Sequence, residues 1–203
     1  MTVPTIARRA ASEPLKVNIG SGCRRLPGFL SVDNNPNAGQ VDIVHELNVF
    51  PWPFADSSVS DVVMDHVLEH LDDTIGVIQE LHRICTHNAR VHICTPHFSC
   101  NWSHPGHRRA IGIGLFDHFD PQHDEHYGQC RFEVEQVHLH WMRPRYQRRR
   151  WRQMIVVPID WMANLNPEVC QRFWCYWVGG FEEIEFHVRV VKSSADGEHE
   201  REG

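Results

Sequence analysis

What this 203-residue sequence lacks narrows the field before any motif is read. No apolar run approaches the roughly 20 residues that cross a bilayer, and the opening MTVPTIARRAASEP has no apolar signal core, so a cytoplasmic protein without a membrane span is expected. Its seven cysteines are odd in number and form no CxxC pair, which argues against a disulfide framework or a zinc ribbon and predicts reduced, mostly buried thiols. There is no internal repeat. With 41% hydrophobic and 23% charged residues, the composition also excludes disorder, collagen and a coiled coil. The length suits one compact domain.

Between an aperiodic segment 1–14 and a polar tail 193–203, the chain reads as a single domain over 15–192. Residues 15–98 form a cofactor-binding half, and residues 99–192 supply a lid and acceptor half. Five short apolar runs, at 15–20, 29–33, 41–47, 60–66 and 89–96, are bounded by turn residues and predict strands of a mostly parallel sheet. Asp72-Asp73-Thr74 ahead of Ile75, Ile78, Leu81 and Cys85 predicts one amphipathic helix joining the fourth strand to the fifth. In the second half, 132–141 and the β-branched run 153–159 predict strands, and Asn166-Pro167 predicts a helix running to Gly179-Gly180. The alternation of Ile184, Phe186, Val188 and Val190 with polar neighbours predicts a half-buried last strand, antiparallel to the rest. Residues 97–130 carry little periodicity, and so long a loop predicts a lid or substrate pocket.

The strongest local motif is Val17-Asn18-Ile19-Gly20-Ser21-Gly22, a strand ending in a Gly-x-Gly turn, where missing Cβ atoms let backbone approach a ligand. Asp33 ends the next strand at the same edge, where a carboxylate can accept both hydroxyls of a ribose. Together they predict nucleoside binding. A dinucleotide is less well served, because Arg25 stands where GxGxxG has its third glycine.

The ordered series VNIGSG, SVDNNP, Pro53-Phe54-Ala55-Asp56-Ser57-Ser58, His66-Val67-Leu68-Glu69-His70-Leu71 and Thr95-Pro96-His97-Phe98 resembles the class I S-adenosylmethionine-dependent methyltransferases, and within them the type 11 small-molecule branch. The resemblance covers about residues 15 to 98. It implies a Rossmann-like α/β sheet, mostly parallel with an antiparallel last strand, and S-adenosyl-L-methionine as cofactor. It also implies that Gly20 and Gly22 line the methionine half, that Asp33 holds the ribose, that Glu46 and Leu47 meet the adenine, and that His66 lies beside the methionine portion, with Ser21 and Asn34 also among the cofactor-binding residues. Two departures stand out: Glu46 replaces the usual aspartate, and Thr86-His87-Asn88-Ala89 replaces a Lys-Pro-Gly-Gly turn.

A methyl transfer needs a base only when the acceptor must lose a proton, and histidine suits that task near neutral pH. His97, directly after the fifth strand, is the first candidate; His104 and His107 in Ser103-His104-Pro105-Gly106-His107-Arg108-Arg109 are the next. The expected partner is a small metabolite or glycan-type acceptor with a hydroxyl or amine, acidic or phosphorylated acceptors included, since Arg108 and Arg109 can grip an anion. His118, His123, Asp124 and His126 match no established ligand spacing, so no metal is assigned. Six arginines between Arg143 and Arg152, with no acid among them in a chain of net charge −6, offer an RNA methyltransferase as an alternative. Nucleic acid is disfavoured against a plain connecting loop. A non-catalytic cofactor-binding protein and a metal-dependent methyltransferase are further alternatives. Trp161, Phe173, Trp174, Tyr176 and Trp177 are expected to pack in the core, or, if exposed in part, to form a homodimer face or an aromatic pocket.

Overall fold

The computed structural model describes residues 13–100, 104–128, 130–143, 150–177 and 179–192. A seven-stranded sheet runs through them. Its strands are β1 (Leu15–Ile19), β2 (Leu30–Asp33), β3 (Ile43–Val44), β4 (Val59–Asp65), β5 (Cys85–Thr95), β6 (Arg131–His140) and β7 (Glu183–Val191), in the order β3-β2-β1-β4-β5-β7-β6. The first five pair in parallel, and β7 runs antiparallel to both neighbours. The fold is thus the expected Rossmann-like, mostly parallel α/β sheet, with one strand reversed.

The helix α1 (Thr74–Ile84) forms where the three-to-four spacing predicts it. Asp73 caps it by accepting from the Gly76 amide at 2.9 Å, and Val77, Ile78, Leu81 and Ile84 are buried. Cys85 belongs to β5 rather than to the helix, and β5 therefore starts four residues before the predicted run. A register shift against β4 and a positive φ at Asn88 (63°) mark the irregularity that the apolar pattern concealed. At the other edge β3 shrinks to two residues.

The β-branched run 153–159 is a correction: it is not a strand but the middle of helix α2 (Arg150–Leu165). Propensity favoured a strand, yet Val156 and Ala163, two turns apart, are buried. Between them Asp160 accepts from the Trp141 amide at 2.8 Å, and just after them Asn164 accepts from the Leu139 amide at 2.7 Å and donates to the Leu139 carbonyl at 2.8 Å. These side chains satisfy the free edge left by β6, a use that residue propensities do not reveal. Helical turns continue through α3 (Pro167–Val169), a π-helical stretch (Cys170–Trp174) and α4 (Cys175–Trp177).

Period-two alternation divides the sheet's faces. Val17, Ile19, Val62, Met64, Val91, Ile93, Ile184, Phe186 and Val188 are buried in one core. Trp52 and Phe54, from the helix-free β3 to β4 connection, join them. Right-handed crossovers put the β1 to β2 and β2 to β3 connections on the face opposite α1. Both are turns with no helix. That face therefore carries Asp61, Asp65, Arg90, His92, Glu185, His187 and Arg189, none of them fully buried. A parallel sheet is ordinarily covered on both sides; among the described residues this one is not.

Candidate active site

The carboxyl ends of β1, β2 and β3 gather most of the predicted cofactor residues. Gly20 and Gly22 adopt left-handed backbone (φ 64° and 50°), and a Cβ on Gly20 would lie 2.3 Å from a methyl of Val67, so only glycine lets the turn pass this close to the end of β4. The Gly22 amide donates to Asp33 Oδ2 at 2.8 Å, and the Asn35 amide donates to Oδ1 at 2.9 Å. This fixes the carboxylate while leaving lone pairs for a diol. Asn34 donates to Glu46 Oε2 at 3.0 Å, and that bond, followed by those from Asn48, holds the Glu46 carboxyl below its usual range. Ser21 Oγ is buried without a partner, as expected of a hydroxyl that meets a ligand. The donors and acceptors present fit a nucleoside with a hydroxylated ribose.

The Leu47 side chain is in the core and its carbonyl accepts from the Trp52 indole at 3.1 Å.

His66 follows β4 in left-handed backbone (φ 57°), a conformation that costs a non-glycine residue about 1–2 kcal/mol. Its ring lies between two carboxylates, Nδ1 at 3.1 Å from Glu69 Oε1 and Nε2 at 2.9 Å from Glu183 Oε2. Burial alone would lower its pKa, but the bonds to Glu183 and Glu69 outweigh it and raise it to about 9. His66 is therefore a cation at neutral pH.

His97, the first candidate base, is a correction. It is fully buried. Nδ1 accepts from the Ser99 hydroxyl at 2.7 Å, and Nε2 donates to Gln171 Oε1 at 3.2 Å. Burial drives its pKa down to about 4. With both nitrogens engaged, His97 ties the end of β5 to the π-helical stretch and has no lone pair to offer an acceptor. His104 and His107 come to the same sheet edge beside His70, with ring centroids 4.4 to 5.6 Å apart.

On the helix-free face, under the carboxyl ends of β4 and β5 and the amino end of the antiparallel β7, lies a cavity of about 500 Å³ lined by Arg24, Asp65, His66, His140, Arg143, Glu183 and Glu185 among others. Arg24, from the glycine turn, pairs with Asp65 across its mouth. Burial would lower the His140 pKa, but Asp160 and Glu185 raise it to about 9. Glu185, bonded first by His140 at 3.0 Å and then by His92, is held far below the usual carboxylate range. The motif reading missed Glu69, Glu183 and Glu185. A spacing of three links His66 to Glu69, but no local signal links His66 to Glu183, 117 positions away.

Of the remaining expectations, Trp161, Phe173, Tyr176 and Trp177 are exposed rather than packed in the core. Arg143 is mostly buried and lies 3.6 Å from Glu183, while residues 144–149 of the arginine run lie outside the described residues. His118 and His123 touch, but no third ligand atom joins them among the described residues.

No protein-family model and no curated protein matches the sequence. Solved structures do share its fold. The [4+2]-cyclase SpnF superposes with a TM-score of 0.54 at 11% identity, over 89% of this chain and 77% of its own. An S-adenosylmethionine-dependent methyltransferase from Mesorhizobium loti gives 0.50 at 12%, over 87% and 91%, and a putative methyltransferase from Bacillus halodurans gives 0.50 at 12%, over 90% and 94%. The fold is that of the class I methyltransferases. A cyclase among the neighbours marks the gap between sharing a fold and sharing a reaction.

Proposed function

We propose that this chain is an S-adenosylmethionine-dependent methyltransferase of the type 11-like branch, acting on a hydroxyl or amine of a small polar metabolite or glycan-type acceptor. The single observation carrying this reading is the joint between the glycine turn and Asp33, where the Gly22 amide and a ribose-accepting carboxylate meet at the carboxyl ends of adjacent parallel strands. When bound, the cofactor supplies a methyl already activated on a sulfonium. The chain's own residues need to bind, orient and exclude water. Asp33 would hold the ribose, Ser21 and Gly20 the neighbouring backbone-lined space, and Glu46 with Asn34 the rim.

The charged cavity beside His66 supports a polar acceptor. Its volume is within the range of small-molecule sites, about 300–1,000 Å³. Cationic His66, Arg24 and His140 can meet acidic or phosphorylated groups, and Glu183 can meet hydroxyl or amino groups. A proton leaving the acceptor would go to the His104–His107 pair, which takes over the part expected of His97.

Calorimetry with S-adenosylmethionine and S-adenosylhomocysteine tests the cofactor, and labelled methyl transfer into fractionated metabolite extracts tests the reaction. Binding of both cofactor forms, weakened at least tenfold in Asp33→Ala, is expected. Absence of heat with either form at high protein concentration would sink the reading.

A homodimer is the second part of this proposal. Trp151, Met154, Ile155, Trp161, Met162 and Leu165 recur at three-to-four spacing on the outer side of α2, and all are at least 48% exposed, a continuous apolar stripe suited to a second copy. A monomer mass by light scattering at working concentrations would overturn it.

A further inference from the structure

Three histidines meet at the carboxyl edge of the sheet from two separate loops. His70 ends the 3₁₀ turn after β4, while His104 and His107 lie in the segment that follows β5. Ring centroids are 5.6 Å apart for His70 and His104, 5.0 Å for His70 and His107, and 4.4 Å for His104 and His107. Each offers a nitrogen within 4.8 Å of those of the other two.

One peptide unit sets two of the rings. The Gly106 carbonyl accepts from His70 Nδ1 at 2.9 Å, and the Gly106 amide donates to His104 Nδ1 at 3.1 Å. A Cβ on Gly106 would stand 3.2 Å from both rings, tight enough that a ring would have to give way by a few tenths of an ångström. The bond to Gly106 keeps the proton on Nδ1 of His70 and leaves Nε2 with its lone pair, which is how a backbone carbonyl fixes the tautomer of a ligating histidine. The loop is held independently: Arg108 pairs with Asp72, Arg109 donates to the Asp72 carbonyl at 2.9 Å, and the Arg108 amide donates to the Glu69 carbonyl at 2.8 Å. The Glu69 carboxylate, almost fully buried, lies 4.0 Å from His70 Nε2 and supplies negative charge behind the cluster, while Asp72 balances Arg108.

His104 is exposed and His70 and His107 are half-buried, so the three imidazoles stand at the surface with ligand nitrogens close enough for one cation to draw them together. Zinc at about 2.0–2.1 Å from each nitrogen would need the nitrogens about 3.3 Å apart in a tetrahedral site. The nitrogens lie within 4.8 Å of one another, so a bound ion would have to draw the triangle in, and binding through His104 Nδ1 would replace its bond from the Gly106 amide.

We propose that His70, His104 and His107 form a three-imidazole site for a divalent transition metal of the zinc class, its fourth position open to solvent on the His104 side. The site stands on the histidine geometry alone. Its use in catalysis rests on the methyltransferase reading: a water on such an ion ionises near about pH 7, and the resulting hydroxide would take the acceptor's proton and become water. The histidines would then hold the ion rather than accept the proton themselves.

The untagged full chain, stripped with a chelator, should take up one zinc ion with micromolar or tighter affinity against a chromophoric competitor. His104→Ala/His107→Ala should weaken uptake more than about 100-fold, beyond the range for a merely orienting group, whereas Gly106→Ala should weaken it about tenfold. His92→Ala/His187→Ala, which dismantles a second histidine cluster on the open sheet face, should leave it unchanged. Circular dichroism checks that each variant is folded, with Gly106→Ala as the independent probe if the double variant is not. Uptake weaker than micromolar, or uptake lost with His92 and His187 instead, overturns the site. Cofactor calorimetry on the same stripped protein separates its failure from failure of the methyltransferase reading.

Discussion

The two faces of the sheet come from alternate residues of the same strands, yet they do different physical work. On the covered face Ile93 and Phe186 sit opposite each other with no exposure, held by area removed from water. One residue along, His92 and Glu185 stand 34% and 26% exposed, their side chains in polar contact at 2.6 Å, and Glu185 is bonded by His140 at 3.0 Å. Helices cover a face only where a crossover is long enough to form one, and the connections at 20–29 and 34–42 are not. Stability therefore concentrates on one face, while titratable chemistry collects on the other and at the carboxyl edge they share.

The sharpest way to break this contrast is a pair of substitutions. Phe186→Ala should lower unfolding free energy by about 3–5 kcal/mol in urea, the range for a buried aromatic, while Glu185→Gln should cost less than about 2 kcal/mol, within the usual range for one substitution. Comparable losses would mean that the open face is structural after all. Next in size, Asp33→Ala should cost about 1.4 kcal/mol or more in cofactor binding, a tenfold loss, with the melting temperature little changed.

The pH dependence sharpens the same contrast. His66 and His140 have folded pKa values raised to about 9 from 6.5, so their contribution is complete below pH 6.5 and is lost as pH rises through 9. Glu185 has the opposite sign: its depressed pKa gives stability that is present above its ordinary 4.5 and lost on acidification. His97, kept neutral by burial, subtracts stability as pH falls from 6.5 toward 4. Melting temperature should therefore decline from pH 6.5 to 9, and His66→Gln should flatten that decline. An unchanged slope would remove His66 from the account. The smallest effect on stability is expected at α2, where Trp161→Glu should shift unfolding by no more than about 0.5 kcal/mol yet yield a monomer by light scattering.

Much of the first half was legible because its signals are local. A Gly-x-Gly after Val17-Asn18-Ile19, an acid at the end of the next strand, and a capped three-to-four pattern over Thr74–Ile84 each depend on residues within one or two turns of one another. Misreadings arose where a distant partner overrode local preference. The run 153–159 favours a strand by propensity, but the bare edge of β6 needed Asp160 and Asn164 at helical spacing. His97 sits in a base's position by sequence, but Ser99, Gln171 and Phe181 close around it.

The five strand runs of the first half, the glycine turn and the place of Asp33 after the second run were determined by sequence, because periodicity and backbone freedom act over a few residues. The tertiary structure decided which face stayed open, that His66 is held as a cation by Glu69 and Glu183, and that His70 meets His104 and His107. Those outcomes depend on crossover length and on groups brought together across the sheet, and no period or spacing records either.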